Sequence, residues 1–308
     1  MTELLQGLVI RTQAGYQDVK TENGIYRCRL RGRLRKGRAE GDLVAVGDQV
    51  LVDPQADMTG SIEEVLPRKS VFSRQLTGVN YEYQQIILAN ADLAMLVFAC
   101  TSPEPRPRML DRFLVVTERS HIPAIIIVNK IDLCGIEKAR EIFSLYEDIG
   151  YEVLYVSAET GKGVEEMRSH LAGKITTLAG PSGVGKSSLI NQILPGIELE
   201  TGDVGQESGR GRHTTQVRQL FELPEGGYIA DVPGLRTLAL WDIQGEELDA
   251  YFIEIAALVP YCQFNDCSHS HEPGCAVRKA VAQEDIHPGR YDSYLKLRFG
   301  GDDLEEDE

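Results

Sequence analysis

Long apolar runs are missing from this 308-residue chain. The longest, Ile122–Val128 and Leu93–Cys100, fall far short of the ~20 residues that a membrane-spanning helix needs. An integral helical membrane protein is therefore excluded. The N-terminal MTELLQGLVIRTQ has no basic stretch leading into an apolar one, the mark of a secretory leader. Cysteine is sparse, with six in the whole chain, which excludes a disulfide-stapled secreted module. Cys28, Cys100 and Cys134 stand isolated and read as ordinary buried or half-buried thiols. No internal repeat is present. A soluble, cytoplasmic chain with no membrane association is expected.

Basic residues are also in deficit. The chain carries 32 Lys and Arg against 47 Asp and Glu, a net charge of −15, which taken alone argues against nucleic acid. The deficit is not uniform. Residues 1–80 hold twelve basic and ten acidic side chains, and Arg27 to Arg38 contains seven basic residues and no acid. The remainder is strongly acidic and ends in a solvated run, Asp302 to Glu308. Net charge here averages domains of opposite character and cannot decide the partner. With 42% hydrophobic residues the chain can build real cores, and its length suits two or three domains.

Residues 1–75 read as short strands, Gly7–Arg11, Gln17–Thr21, Tyr26–Leu34, Gln49–Asp53 and Gly60–Val65. Turn signals such as Glu22-Asn23-Gly24 and Asp53-Pro54 separate them. Five strands in that length suit a small closed barrel of the OB type. Pro67 to Asn80 reads as a linker. From about Gln84, apolar strand runs alternate with amphipathic stretches. The strands are Leu93–Ala99, Ala124–Val128, Val153–Val156, Ile175–Leu178, Gln219–Leu223 and Tyr228–Ala230. The helices are Arg108–Glu118, Glu137–Ile149, Val164–Leu171 and Ser187–Leu194. That alternation predicts an α/β sheet covered by helices on both faces. Residues 195–217 form a long aperiodic loop, and beyond Trp241 the pattern is helical around a Cys/His cluster.

Strand Ile175–Leu178 runs into Gly180-Pro181-Ser182-Gly183-Val184-Gly185-Lys186-Ser187, followed by the helical start Ser188-Leu189. This is G-x-x-x-x-G-K-S in the strand–loop–helix setting a phosphate loop requires. Its glycines let backbone N–H groups face phosphates, and the helix N-terminus adds its dipole. Lys186 would neutralise β and γ oxygens, and the Ser187 hydroxyl would ligate Mg²⁺. Strand Ala124–Val128 ends in Asn129-Lys130-Ile131-Asp132. The Asp132 carboxylate can accept from guanine N1–H and N2–H₂, whereas adenine would leave that charge unpaired. Sites built on such bonds reject the wrong ligand by roughly 10⁴–10⁵-fold. Ser157-Ala158, after the next strand, repeats a guanine-loop pattern. The nucleotide is therefore GTP rather than ATP.

Asp231-Val232-Pro233-Gly234 supplies a further element. Asp231 would hold Mg²⁺ through water, and the Gly234 N–H would sense the γ-phosphate. In the loop Gly209-Arg210-Gly211-Arg212-His213-Thr214-Thr215, a threonine can ligate Mg²⁺ while the γ-phosphate is present; Thr215 is preferred over Thr214. The position that holds a water-orienting glutamine in Ras-type enzymes is Leu235, so unassisted turnover is expected to be slow. His213 is the candidate for the missing role. Cys262-x₄-Cys267-x-His269-x₅-Cys275 offers three thiolates and an imidazole, the donor set of a closed structural Zn²⁺ site, with His271 a rival fourth ligand. Arg27, Arg29, Arg31, Arg33 and Arg35 alternate along one predicted strand and share a face, which suits a phosphate backbone.

The motif order is itself informative. In ordinary small GTPases the phosphate loop comes first, whereas here Asn129–Asp132 and Ser157-Ala158 precede Gly180–Ser187, which precedes Thr215 and Asp231–Gly234. A circular permutation builds the same sheet from that order. With Gly211-Arg212-His213-Thr214-Thr215, Asp231-Val232-Pro233-Gly234 and the segment Cys262 to Val277, the chain resembles the ribosome small-subunit-dependent GTPase A family, of the RsgA/YjeQ type. The likeness extends over essentially the whole chain.

The resemblance implies three domains: residues 1–78, an OB-fold RNA-binding barrel; 79–240, a circularly permuted GTPase; and 241–308, a zinc-binding helical module with its acidic tail. It favours His269 as the zinc ligand, through Cys-x-His-x-x-Glu-Pro-Gly-Cys, and supports a catalytic histidine at His213 alongside Lys186 and Gly234. It further implies a small-ribosomal-subunit and ribosomal-RNA partner, GTP turnover on that subunit in its late maturation, and a monomer. The alternative is an RNA-binding module gated by GTP binding rather than by turnover. The permutation also leads to an expectation that nucleotide state passes along Leu235–Trp241 to the C-terminal module.

Overall fold

The computed structural model describes residues 3–32, 43–75, 84–194, 218–231 and 244–300. Five strands, β1 (Leu5–Gln13), β2 (Tyr16–Thr21), β3 (Gly24–Leu30), β4 (Gln49–Pro54) and β5 (Thr59–Val65), form the N-terminal barrel. The ladder runs β1-β2-β3-β5-β4 and closes through a β1–β4 pairing, with β3 and β5 parallel. Period-two alternation drives this closure. Val9, Val19, Cys28, Val50, Val52 and Ile62 turn inward and are fully buried. Strand β3 stops at Leu30, short of the expected Leu34, and residues 33 and 34 lie outside the described residues. Pairing sets that end: β3 matches β2 only from Gly24 to Cys28, and β5 only up to Leu30.

The stretch expected to be a linker carries a strand. Here β6 (Val71–Gln75) pairs antiparallel with β7 (Gln84–Ala89), with Phe72 opposite Leu88. Phe72, Ile87 and Leu88 are buried in the core they share with the α/β sheet, so burial organises what composition suggested was a spacer.

The α/β layer places β10 (Glu152–Tyr155), β9 (Ala124–Asn129), β8 (Leu93–Ala99), β11 (Ile175–Ala179) and β13 (Tyr228–Asp231) side by side, all parallel. Antiparallel β12 (Arg218–Glu222) follows, and its pairing with β1 makes barrel and layer one eleven-stranded sheet. Strand β8 is buried along its entire length, as a central parallel strand must be. Its Ala94, Leu96 and Phe98 face α1 (Pro107–Arg119) and α3 (Ile136–Ile149) through Phe113, Leu114 and Phe143. Its Leu93, Met95 and Val97 face α4 (Val164–Ser169) and α5 (Lys186–Ile193) through Met167, Leu189 and Ile193. Each such side chain contributes ~1.5–3 kcal/mol by leaving water. Between α1 and α3 lies α2 (Ile131–Cys134), a single turn directly after β9.

Past residue 244 the chain is built from short pieces: a 3₁₀ segment Gly245–Tyr251, α6 (Ile253–Ala256), a 3₁₀ turn Val259–Tyr261, α7 (Ala276–Ala282) and α8 (Pro288–Phe299). Their core of Leu248, Phe252, Ile255, Val277 and Tyr294 includes Val115 from α1, so this module packs on the α/β layer. No helix among the described residues is long and apolar enough to cross a membrane.

Candidate nucleotide site and cysteine–histidine centre

Parallel strands carry their C-terminal ends to one edge of the sheet, where α/β proteins bind ligands. Strand β8 sits between β9 and β11, so the turns after those two strands face each other across its end. The glycine loop begins where β11 ends. Gly180 has φ +142°, and a Cβ there would lie 2.1 Å from the Val97 carbonyl oxygen; only glycine lets the loop pass this close to β8. Gly185, φ +95°, enters α5, and a Cβ on it would lie 2.4 Å from Asn129 Nδ2. Lys186 Nζ folds back over the loop, donating to the Gly180 carbonyl at 2.7 Å and also to that of Pro181. Ser187 and Ser188, both half-buried, occupy the first turn of α5.

Asn129 ties three segments together. Buried at the end of β9, it accepts from the Ala158 N–H through Oδ1 at 3.0 Å and donates through Nδ2 to the Val184 carbonyl at 2.8 Å. Lys130, with φ +67°, donates to the Gly183 carbonyl at 2.7 Å and to that of Ser102. Asp132 is exposed, and its carboxylate accepts from the buried Ser157 hydroxyl. That bond aims a solvated acceptor outward from the turn. Gln192, which the motifs do not single out, donates to the Ala158 carbonyl at 3.1 Å and so links α5 to the same loop. The structure thus assembles Asn129, Lys130, Asp132, Ser157, Ala158 and the run Gly180–Ser188 into one cluster. Asp231 ends β13, its Cα opposite Gln219. His213, Thr214, Thr215, Gly234 and the segment Leu235–Trp241 lie outside the described residues.

Cys100 and Cys134 are not isolated thiols: they form a disulfide, with Cα atoms 6.6 Å apart. They are 34 positions apart in the chain, so only the packing of β8 beside β9 brings the pair together. Cys28 does behave as expected, buried in the barrel, with its thiol pushed up to about 12 by burial and then by Asp18.

The second cluster joins Cys262, Cys267, His269 and Cys275, whose ligand atoms all lie within 4.8 Å of one another. His269 Nδ1 is 3.5 Å from Cys262 Sγ and 3.4 Å from Cys275 Sγ, and those two sulfurs are 3.9 Å apart. Tetrahedral zinc bonds of ~2.0–2.3 Å would space such atoms by about 3.5–3.8 Å, so the donor set fits the ion. The other ring nitrogen, Nε2, is buried without a hydrogen-bond partner and lies 3.6 Å from Asp249 Oδ2. A metal on Nδ1 would leave Nε2–H as the donor to that carboxylate. Burial pushes the Cys267 thiol up to about 12, so it would need a cation to remain thiolate at neutral pH. His271 is exposed, turned toward Ser270, and stands apart from the cluster.

Glu272 organises this loop. Its carboxylate accepts from the backbone N–H of Ser268 at 2.8 Å and from those of Ser270 and His271, each at 3.1 Å. Burial works against the charge, but these bonds and the Ser268 hydroxyl hold it well below the usual carboxylate range. Tyr291 and Tyr294 donate to the carbonyls of His269 and Ser268, at 2.6 and 3.1 Å.

On the barrel, Arg27 and Arg29 are exposed on the outer face of β3 and flank the Tyr16 ring, at 4.5 and 4.3 Å from its centroid. Arg31 is also exposed but pairs with Glu63. Arg33 and Arg35 lie outside the described residues.

A parallel sheet with a glycine phosphate loop after β11, and an Asn-Lys-x-Asp turn that precedes it in the chain, defines a circularly permuted P-loop GTPase. The RsgA GTPase family model matches residues 65–241, and the RsgA N-terminal domain matches residues 6–62. Two relatives carry the name small ribosomal subunit biogenesis GTPase RsgA. One, from Gemmatimonas aurantiaca, is 44% identical over 97% of this chain and 98% of its own. The other, from Caldanaerobacter subterraneus, is 42% identical over 96% and 95%. Among solved structures, YjeQ from Thermotoga maritima superimposes with a TM-score of 0.80 at 35% identity, covering 97% of this chain and 98% of that one. YloQ, a circularly permuted GTPase, gives 0.76 at 30% identity, covering 97% and 95%. The chain belongs to the RsgA GTPase family and is a GTP hydrolase.

Proposed function

We propose that this chain hydrolyses GTP while docked on the small ribosomal subunit, acts late in that subunit's maturation, and leaves in the GDP state. The observation that carries the reading is the Asn129 side chain, which holds the Ala158 turn on one side and the phosphate loop on the other. One buried amide thereby sets the distance between a guanine-reading turn and a phosphate cradle. The relatives named for small-subunit biogenesis support the choice of partner.

In this mechanism Asp132 accepts from guanine N1–H and N2–H₂, with Ser157 orienting its carboxylate. Backbone N–H groups of Gly180–Ser188 receive the phosphates. Lys186 exchanges its bonds to the Gly180 and Pro181 carbonyls for β and γ oxygens. Ser187, Thr215 and Asp231 would hold Mg²⁺, which supplies charge neutralisation on the phosphates. Gly234 reports the γ-phosphate and His213 assists the attacking water. Cys262, Cys267, His269 and Cys275 would hold one structural Zn²⁺, which fixes the C-terminal loop and leaves no open coordination position.

Arg27, Arg29 and Arg31 on the barrel would contact ribosomal RNA, and Arg33 and Arg35, outside the described residues, are expected to add to that binding. We divide the chain at residues 78 and 240 and place it in the cytoplasm as a monomer. GTP turnover measured with and without purified small subunits tests the proposal, with ATP and large subunits as controls. Stimulation of at least tenfold by small subunits alone, lost in His213→Ala, is expected. Tight GTP-dependent binding without stimulation would replace it with the gated RNA-binding reading.

A further inference from the structure

We propose that Cys100 and Cys134 form a reversible thiol–disulfide modification site that sets how firmly the guanine-reading turn is held. The inference rests on the guanine-site reading of Asn129–Asp132. Cys100 is the residue after β8 and is 1% exposed. Its N–H donates to the Asn129 carbonyl at 3.0 Å, and its sulfur lies 3.1 Å from the Lys130 carbonyl oxygen. Cys134 is the last residue of α2, two residues after Asp132. The cross-link therefore ties the far end of the Asp132 turn to the end of the central strand.

Besides the cross-link, that end is held by packing of the half-buried Cys134 on the sheet core and by the start of α3 at Ile136. The turn is anchored at its start, where Ile131 is buried and its N–H reaches the Val156 carbonyl at 3.3 Å. Beyond it Asp132 is exposed, Leu133 is 60% exposed and Cys134 only half-buried. Leu133 N–H to the Lys130 carbonyl and Gly135 N–H to the Ile131 carbonyl, each at 2.9 Å, close this four-residue turn, and so short a helix frays readily on its own. The covalent tie removes that freedom in advance, so less ordering remains to be done when guanine binds.

The chemistry is balanced with a peroxide as oxidant. Cys134, the accessible member, attacks the peroxide as thiolate; an S–O bond forms, the O–O bond breaks, and hydroxide leaves to be protonated to water. Cys100 then attacks the Cys134 sulfur; the S–S bond forms, the S–O bond breaks, and a second water carries away the remaining proton. Two thiols are oxidised and one peroxide is reduced. A dithiol reverses the reaction by exchange, returning two protons to the cysteines and taking the disulfide itself.

The test follows release of a fluorescent GDP analogue from the full chain in three preparations: peroxide-oxidised, dithiol-reduced, and Cys134→Ser under each condition. Mass spectrometry scores the 100–134 cross-link in every sample. Release about three- to tenfold slower from the oxidised wild type is expected, with Cys134→Ser fast and insensitive to oxidant. That insensitivity separates the effect from oxidation of the Cys262–Cys275 cluster. Equal release rates with the cross-link complete would overturn the proposal, as would failure of the cross-link to form. Absence of GDP binding in every preparation would instead sink the guanine-site reading, and this inference with it.

Discussion

Arg290 is the place where one substitution should have the largest effect on how the modules are joined. Its guanidinium is 2% exposed and makes three charge-assisted bonds. Nη1 reaches Asp111 on α1 at 2.7 Å, while Nε and Nη2 reach Glu254 at 2.7 and 3.1 Å. The Phe252 ring lies 4.4 Å from its Cζ, and Tyr146 donates to the same Asp111 oxygen at 2.7 Å. Burial opposes the charge, but Asp111 and Glu254 outweigh it and hold Arg290 above the ordinary arginine value.

Arg290→Met keeps most of the packing and strands two carboxylates in a dry site. Individual bonds of this kind are worth ~1.5–3 kcal/mol, but they share one cation and do not add. Breaking a buried pair costs about 3–5 kcal/mol in practice, or roughly a 10²- to 10⁴-fold rise in opening. Hydrogen exchange in the full chain reads this directly, through amides of Pro288–Phe299 and Pro107–Arg119. The expected result is loss of protection on that scale in both helices, with much of it restored in Arg290→Met/Asp111→Asn/Glu254→Gln. A loss below tenfold, or no recovery in the triple variant, would refute the view that unpaired charge rather than lost packing dominates.

Two further outcomes follow from the structure. Gly185→Ala should displace the Asn129 amide that its Cβ would meet at 2.4 Å, weakening GTP and GDP by at least tenfold in equilibrium titration. Retained affinity would mean that the Asn129–Val184 bond does not couple the two halves of the site. For Cys28, the folded-state value of about 12 stands above the ~8.5 of a free thiol. Its contribution is therefore complete below pH 8.5 and is lost as pH rises toward 12, by about 1.4 kcal/mol per unit. In urea titrations between pH 9 and 10.5, Cys28→Ala should flatten the decline by that slope, whatever its effect at neutral pH; parallel slopes would contradict the burial argument.

The phosphate loop and the Asn-Lys-x-Asp turn were legible because each is a local device. A glycine where φ must be positive, a lysine beside it and an apolar strand before it are all neighbours in sequence. The cysteine–histidine set was legible for the same reason, its four candidate ligands falling within fourteen residues. Residues that act across the fold were not. Asp249 beside His269, Gln192 on the Ala158 turn and the Arg290 pairs carry no local pattern, since a buried carboxylate and a surface one look alike in sequence. Strand β6 is hidden because the stretch Pro67 to Asn80 resembles a spacer in composition, although Phe72, opposite Leu88, anchors it in the core.

The candidate chemistry is written in local sequence, because phosphate cradling, guanine reading and metal ligation would each need particular residue types at short fixed spacings. The sequence determined the permuted order too, since order is a property of the chain. Tertiary structure alone decided which distant groups meet. It joined the barrel to the sheet through β1 and β12, brought Cys100 to Cys134, and set Arg290 between Asp111 and Glu254. The physical reason is that such contacts depend on how strands stack and helices dock. Those arrangements are selected by burial summed over whole cores, and no short window of sequence contains that sum.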